Sequence, residues 1–355
     1  MTDSTTFTRR HFLGRTALLA GLPAAPLARS APDEEAATFF FVADTHYRAA
    51  ETDSRVLDPV SADHNRRLID WLNRLPGTPF PESAGGGIVP EPHGVIHGGD
   101  IVDNGDKGPA VMAEKVPIEL ASFLGDWGLN GGDGRLRWPV REVHGNHDSP
   151  RGEGLVIDAI KTRNQRRQGV VNVSENGLHY SWDWAGVHFV ALGIVVGDAP
   201  EITRRRRYGA LGSLPFLRDD LAAQVGDSGR PVVLVHHVDV ARYSVPVPDE
   251  KVIHNEWDYG DAQAYHRSLA SHRVAAALCG HTHSRQLFRW DGTGNRSAES
   301  GLPFLNTDNA AHFHGGSQAF LHVRIAGSET LVREFATEDG WETGAWRPQV
   351  WRFAF

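Results

Sequence analysis

Five short clusters in this 355-residue chain carry side chains suited to metal chemistry: Asp44-Thr45-His46, Gly99-Asp100-Ile101-Val102-Asp103, Gly145-Asn146-His147-Asp148, His236-His237 and Gly280-His281-Thr282-His283. Their donors are hard oxygens and imidazoles, the set that suits Mn, Fe, Zn or Co. Nineteen histidines strengthen the expectation of a metal site, since neutral imidazole is the commonest metal ligand. Cysteine points the same way: with Cys279 alone, neither an internal disulfide nor a thiolate-built cluster can form, and a buried inert thiol is expected there. In the pairs Asp44/His46 and His281/His283, the i, i+2 spacing would put both donors on one side of an extended segment. Gly99, Gly145 and Gly280 would let the backbone turn closely beneath them.

Such clusters need a rigid frame, and apolar runs stand just before them. Runs at 38–42, 94–97, 140–143, 231–235 and 274–278 read as buried strands, each followed within a few residues by one cluster. Ligands of open α/β sheets sit outside the carboxyl ends of the strands, so the five clusters would converge on one rim. Leu68, Ile69, Leu72 and Leu75 recur at helical spacing, with Ser61 as a cap and Pro76-Gly77 as a stop. Alternation over 179–192 around Ala185-Gly186 predicts an antiparallel hairpin with Trp182 and Trp184 on its two faces. Further strands are read at 285–290, 320–325 and 331–335, and loops at 77–93, 103–110, 128–138 and 291–302. So high a strand count predicts an α/β fold of two mixed sheets packed face to face with helices outside, one domain over 38–355.

In this order the five clusters resemble the signature of the calcineurin-like metallophosphoesterase superfamily, from Asp44 to His283. The resemblance implies a four-layer α/β/β/α sandwich that hydrolyses phosphate esters with two metal ions. Asp44, His46 and His283 would hold one ion, Asp100 would bridge, and Asn146, His236 and His281 would hold the second. His147 would face the phosphate, with Asp103 as its orienting carboxylate. His237 is the alternative to His236, which is preferred because it directly follows the apolar run. Two cations about 3.5–4 Å apart repel strongly, so a shared carboxylate is needed between them. Water held by both would supply a hydroxide at neutral pH for in-line attack on phosphorus, with His147 as a candidate acid. Asp103 stands where purple acid phosphatases of this superfamily place a tyrosine ligand, which argues against a tyrosinate-bound ferric site. Asn104 stands where its phosphoprotein phosphatases place an arginine, which weakens the case for protein substrates. Small phosphate esters or phospholipid-type molecules are the expected substrates, diesters slightly before monoesters. The alternatives are a nuclease and a metal-binding protein without turnover.

The formal charge is −8, and the first thirty residues hold Arg9, Arg10, Arg15 and Arg29 against Asp3, a net +3 that leaves −11 for the rest. That balance disfavours a protein that grips nucleic acid through a basic surface. Thr8, Arg9, Arg10, Phe12 and Leu13, followed by an apolar stretch over 16–28, resemble a twin-arginine export signal, with Gly14 departing from the expected lysine. Cleavage is expected after Ser30, and the mature protein in the periplasm or outside the cell. The arginine run 204–207 is read first as a solvated loop, and His312 and His314 as pocket-lining or surface groups in equal measure. His254, Glu256 and Trp257 are candidates for a substrate-facing loop.

Overall fold

A computed structural model describes Met1 and residues 36–246, 251–314 and 316–355. The described residues from 36 onward belong to one compact unit, Ala31–Phe355. The twin-arginine segment lies outside the described residues, as does the expected cleavage site. Among the described residues, thirteen strands form two sheets. The first contains β1 (Ala37–Val42), β2 (Gly94–His97), β3 (Val140–Glu142), β11 (Gln318–Ala326), β12 (Glu329–Thr337) and β13 (Ala345–Ala354), in the order β13-β12-β11-β1-β2-β3. The second contains β4 (Val170–Val173), β5 (Tyr180–Trp184), β6 (Val187–Ala191), β7 (Val232–Val235), β8 (Val274–Cys279), β9 (Gln286–Trp290) and β10 (Leu302–Asn306), in the order β4-β5-β6-β7-β8-β10-β9. Both are mixed: β1, β2 and β3 run parallel while β11 pairs antiparallel to β1, and β6, β7 and β8 run parallel beside the antiparallel β5–β6 hairpin.

The strands alternate between two hydrophobic layers because successive side chains leave opposite faces. Phe39 and Phe41 of β1 meet Phe189, Val233 and Leu278 between the sheets, while Phe40 and Val42 face the other way. On that outer face they pack with α1 (Pro59–Arg74), α2 (Pro109–Trp127) and α3 (Leu155–Asn164). Val232 and Leu234 of β7 likewise face out, against α4 (Ser213–Asp220) and α5 (Tyr259–Leu269). The result is the expected four-layer sandwich, and burial on both faces explains why the central strands read as unbroken apolar runs.

Several local expectations change. Trp182 and Trp184 share one face, both in the layer between the sheets with ring centroids 5.5 Å apart, as residues two apart on a strand must be. Asp58, not Ser61, caps α1, accepting from the amides of Val60 and Ser61 at 3.0 and 3.1 Å. Ser61 is buried one turn in, where its hydroxyl donates to the carbonyl of His46 at 3.2 Å and accepts from the amide of Arg48 at 3.1 Å. Asn65 donates to the carbonyl of Thr45 at 3.1 Å. The helix thus braces the first ligand loop. The 291–302 loop ends in β10, whose pairing to β8 could not be read from its own composition.

At the end of β3, immediately before the third cluster, Glu142 is fully buried and accepts from Arg163 of α3 at 2.7 Å and from Arg167 at 2.5 Å. Burial disfavours its charge, yet the two guanidinium groups hold its carboxyl well below the usual range. Removing the acid would strand two buried cations. Glu142→Ala is therefore expected to lower unfolding free energy by about 3–5 kcal/mol, read as a fall in urea midpoint at unchanged slope.

Candidate metal centre

The loops leaving β1, β2, β3, β7 and β8 meet at the rim where the carboxyl ends of both sheets come together. The amide of His281 donates to both carboxylate oxygens of Asp44, at 3.1 and 3.0 Å, tying the loop after β8 to the loop after β1. His237 donates from Nδ1 to the carbonyl of Gly98 at 2.8 Å, tying β7 to β2. Asp148 accepts from the amides of Ile101, Val102 and Gly145 at 2.9, 2.9 and 2.7 Å, joining the second cluster to the third. Glycine is required beneath the donors. A Cβ on Gly145 would stand 2.2 Å from Asp100 Oδ1, and one on Gly280 2.5 Å from Asp44 Oδ2.

The donors do not lie on extended segments, as the i, i+2 argument supposed. Asp44, His46, Asp100, His281 and His283 all have positive φ, from 41 to 70°, and make up five of the nine non-glycine residues with positive φ among those described. Left-handed backbone costs roughly 1–3 kcal/mol per such residue, and it persists where surrounding structure over-determines it. Here the helix α1 bonds and the cross-loop bonds supply that restraint. Left-handed residues on either side of Thr45 and of Thr282, not strand pleating, aim both members of each pair at one point.

The donors gather in three groups: Asp44, His46 and His283; Asp100, His237 and His281; and His46, Asp103 and His147, with one ligand atom from each member within 4.8 Å of the others in its group. His283 Nε2 is 3.4 Å from Asp44 Oδ1. Asp100 stands between the first two groups, its Oδ2 3.1 Å from His237 Nε2 and 3.8 Å from His46 Nε2. Asn146 Oδ1 is 3.2 Å from the same His237 nitrogen. His46 donates from Nδ1 to Asp103 Oδ1 at 3.2 Å, which in the neutral ring leaves a lone pair on Nε2. That atom is buried without a hydrogen-bond partner, 4.0 Å from Asp44 Oδ1 as well as 3.8 Å from Asp100 Oδ2. Three acceptors facing one another at such spacing are the surroundings of a cation. The residues therefore fit the two ions that the sequence implied.

Two assignments are corrected. His236 points away from the centre: its Nδ1 donates to the carbonyl of Val238 at 3.0 Å, and its ring packs on Trp257, Tyr265 and Phe304. The reason is strand alternation, since Leu234 faces the outer layer and Val235 the layer between the sheets. His236 continues the outward phase and His237 the inward one, a signal that adjacency to the apolar run concealed. Asp103 orients His46 rather than His147. His147 donates from Nδ1 to the backbone carbonyl of Asp103 at 3.2 Å, and Asp106 Oδ1 lies 3.7 Å from that nitrogen.

Other side chains reach the centre without belonging to the five motifs. Glu256 accepts from His281 Nε2 at 3.0 Å and from the Tyr243 hydroxyl. Burial raises its carboxyl, but these bonds prevail and bring it down to about 2. A carboxylate on a histidine's far nitrogen fixes the ring's tautomer and orientation, so Glu256 is a positioning group for His281. His312 lies with its ring centroid 4.6 Å from His46 and 4.8 Å from His283, which places it at the pocket rather than on an outlying surface. The arginine run is not a free cationic loop: Arg204 pairs with Asp258 at 2.5 Å and Arg206 with Asp261 at 2.6 Å. Cys279 is buried, as expected.

An α/β sandwich with aspartate, asparagine and histidine gathered where the loops of both sheets meet defines a metallophosphoesterase. The chain belongs to the calcineurin-like phosphoesterase family, whose model matches residues 37–285. Among solved structures, PhoD superposes with a TM-score of 0.52 at 10% identity, over 93% of this chain and 71% of its own. A dimetal phosphatase from Danio rerio aligns over 87% of this chain and 98% of its own, at 15% identity and a TM-score of 0.48. No curated protein matches the chain in sequence. Identities this low speak for the fold alone.

The electrostatics predict how metal affinity depends on pH. Burial opposes charge on His237, but Asp100, with its hydrogen bond, and Asp44 outweigh it and raise the ring to about 9. At neutral pH the metal-free protein thus holds a proton that a cation at Nε2 must displace. Affinity for Mn or Zn is expected to rise with pH up to about 9, up to tenfold per unit, with proton release on binding. Calorimetric titration in buffers of different ionisation enthalpy at pH 6, 7 and 8 checks this, and a pH-independent affinity would contradict it.

Proposed function

We propose that the protein hydrolyses phosphate esters at a centre of two metal ions, with Asp44, His46 and His283 holding one, Asn146, His237 and His281 the other, and Asp100 bridging. The observation that carries the reading is the position of Asp100 Oδ2 between His46 Nε2 and His237 Nε2. When bound, the ions supply Lewis acidity toward the phosphoryl oxygens and lower the pKa of water, so that hydroxide is available near neutral pH. The protein's own residues hold and orient. Asp103 keeps the Nδ1 proton on His46, Glu256 steadies His281, and Gly98 does the same for His237 through its carbonyl.

His147 is the group left facing the substrate, its side chain 28% exposed while the ligand histidine His46 beside it is buried. Its Nδ1 is engaged by the Asp103 carbonyl, which leaves Nε2 as the ring nitrogen available to an ester. Burial lowers its proton affinity, and Asp100, Asp106 and Asp103 more than restore it, so the ring is raised above the ordinary imidazole value. A histidine whose proton affinity is raised in this way is suited to donate to a phosphoryl oxygen or to the leaving alkoxide, a contribution typically worth ~10²–10⁴-fold.

Phosphodiesters are preferred over monoesters in this reading. Asn104, at the position of the arginine clamp, is buried and donates to Glu119 at 2.6 Å, so it offers nothing to the second negative charge of a monoester. A nuclease is the second reading, supported only by the shared diester chemistry and opposed by the net charge. The twin-arginine resemblance at Thr8, Arg9, Arg10, Phe12 and Leu13 supports export in the folded state to the periplasm or beyond. Among the described residues no helix is long and apolar enough to cross a membrane.

Four variants test the assignment against p-nitrophenyl phosphate and bis-p-nitrophenyl phosphate after metal restoration. His147→Ala should keep both ions but lose at least about 100-fold in kcat, with the alkaline limb of the pH profile gone. Asp100→Ala should lose both metal and turnover, and wild-type activity in that variant would sink the bridging role. His236→Gln should leave metal content intact where His237→Gln lowers it. Export is tested apart from chemistry: replacing Arg9 and Arg10 with lysine should retain the protein in the cytoplasm, and normal export of that variant removes the twin-arginine reading.

A further inference from the structure

Beside the metal centre lies a cleft of about 560 Å³ between the first turns of α2 and α3, floored by the loops that follow β2 and β3. Its apolar walls come from Met112, Ala113, Val116, Pro150, Leu155 and Val156. Lys107 and Arg151 stand among its polar walls with Asp106, Asp148 and Glu153, of which Asp148 is buried in hydrogen bonds to backbone amides. Volumes of this size with mostly apolar linings are those of small-molecule sites. Leu155 is 51% exposed, a large apolar side chain left uncovered on the cleft wall. A Cβ built on the neighbouring Gly154 would meet no atom within 4 Å, so the space at the start of α3 is open.

The cleft borders the candidate centre, sharing with it the loops that follow β2 and β3, although neither His147 nor any candidate metal ligand lines it. Asp106 lines it and places Oδ1 3.7 Å from His147 Nδ1, so the same short loop forms a cleft wall and flanks the substrate-facing histidine. Asp148, which ties the second cluster to the third, lines it as well. An ester whose phosphorus sits at the Asp100 centre, with an alcohol arm that runs past His147 and Asp106, would reach this apolar space.

We propose that this cleft binds the alkyl or aryl arm of the phosphate ester, making the substrate class esters of an apolar alcohol rather than of a sugar or other polyol. The proposal rests on the phosphoesterase reading. Binding energy from such an arm is remote from the reacting bonds and selects among substrates by apolar area and shape.

The test compares two non-hydrolysable probes, methylphosphonate and hexylphosphonate, titrated calorimetrically into the full, manganese-loaded protein. Each fully buried methylene is worth roughly a fourfold gain in affinity, so burial of half of the five extra ones should make hexylphosphonate bind about 30-fold tighter. Ala113→Trp, which fills the cleft, and Leu155→Glu, which makes its wall charged, should each cut that ratio at least tenfold. Both positions are exposed, so either change is compatible with folding. Equal affinity for the two probes, failure to bind either, or a chain-length preference that both variants keep overturns the proposal. Hydrolysis of p-nitrophenyl phosphate and its diester by the same preparation reports separately on the underlying function. Turnover without chain-length preference removes the cleft proposal alone, whereas absence of turnover removes the phosphoesterase reading and, with it, the proposed substrate class.

Discussion

Everything at the rim follows from burying two carboxylates, Asp44 and Asp100, against each other. Each is buried, and Asp100 raises the proton affinity of Asp44 by repulsion. Unrelieved, such a pair would take up protons or open to water. Burial pushes the Asp44 carboxyl up, but the hydrogen bond and charge of His283 prevail and lower it; at Asp100, His237, His46 and His147 do the same. The histidines are therefore not decoration around the acids. They are what allows the acids to remain charged in the metal-free protein, and the same geometry presents lone pairs and carboxylate oxygens to cations.

That arrangement demands rigidity from the scaffold, and the scaffold supplies it in layers. The parallel strands β1, β2 and β3 of one sheet and β7 and β8 of the other end at a common rim, because Phe39, Phe41 and Val323 interlock with Phe189, Val233 and Leu278 between the sheets. Left-handed residues at Asp44, His46, Asp100, His281 and His283 then aim the donors. Such backbone strain is tolerable because α1 holds the first loop through Ser61 and Asn65, and Asp148 holds the second and third. Cross-loop bonds such as that from His281 to Asp44 join the two sheets at the centre itself.

Much of this was legible in the residues. The unbroken apolar runs announced strands covered on both faces, and the clusters behind them announced a single rim. The Ala185-Gly186 hairpin was visible because turn chemistry is local, with φ of 46 and 77° at its two residues. What escaped was whatever depended on phase or partner. Reading His236 as the ligand relied on adjacency, whereas the inward phase of Val233 and Val235 pointed to His237. Asp103 was paired with His147 by motif, yet its carboxylate reaches His46, 57 residues away in sequence. Glu256 and His312 were candidates by position alone, and their partners at the centre, His281 and His46, lie too far off in sequence for spacing to name them.

Composition and pattern by themselves determined the donor types, the number of converging loops, the two-sheet architecture and the family, because each is encoded in short stretches of chain. Tertiary structure alone decided which nitrogen faces which carboxylate and which helix braces which loop. It also opened an apolar cleft beside His147, between helices that begin 46 residues apart in sequence, at Pro109 and Leu155. Those outcomes depend on distances between segments remote in sequence, and such distances arise only when two sheets close on a common core.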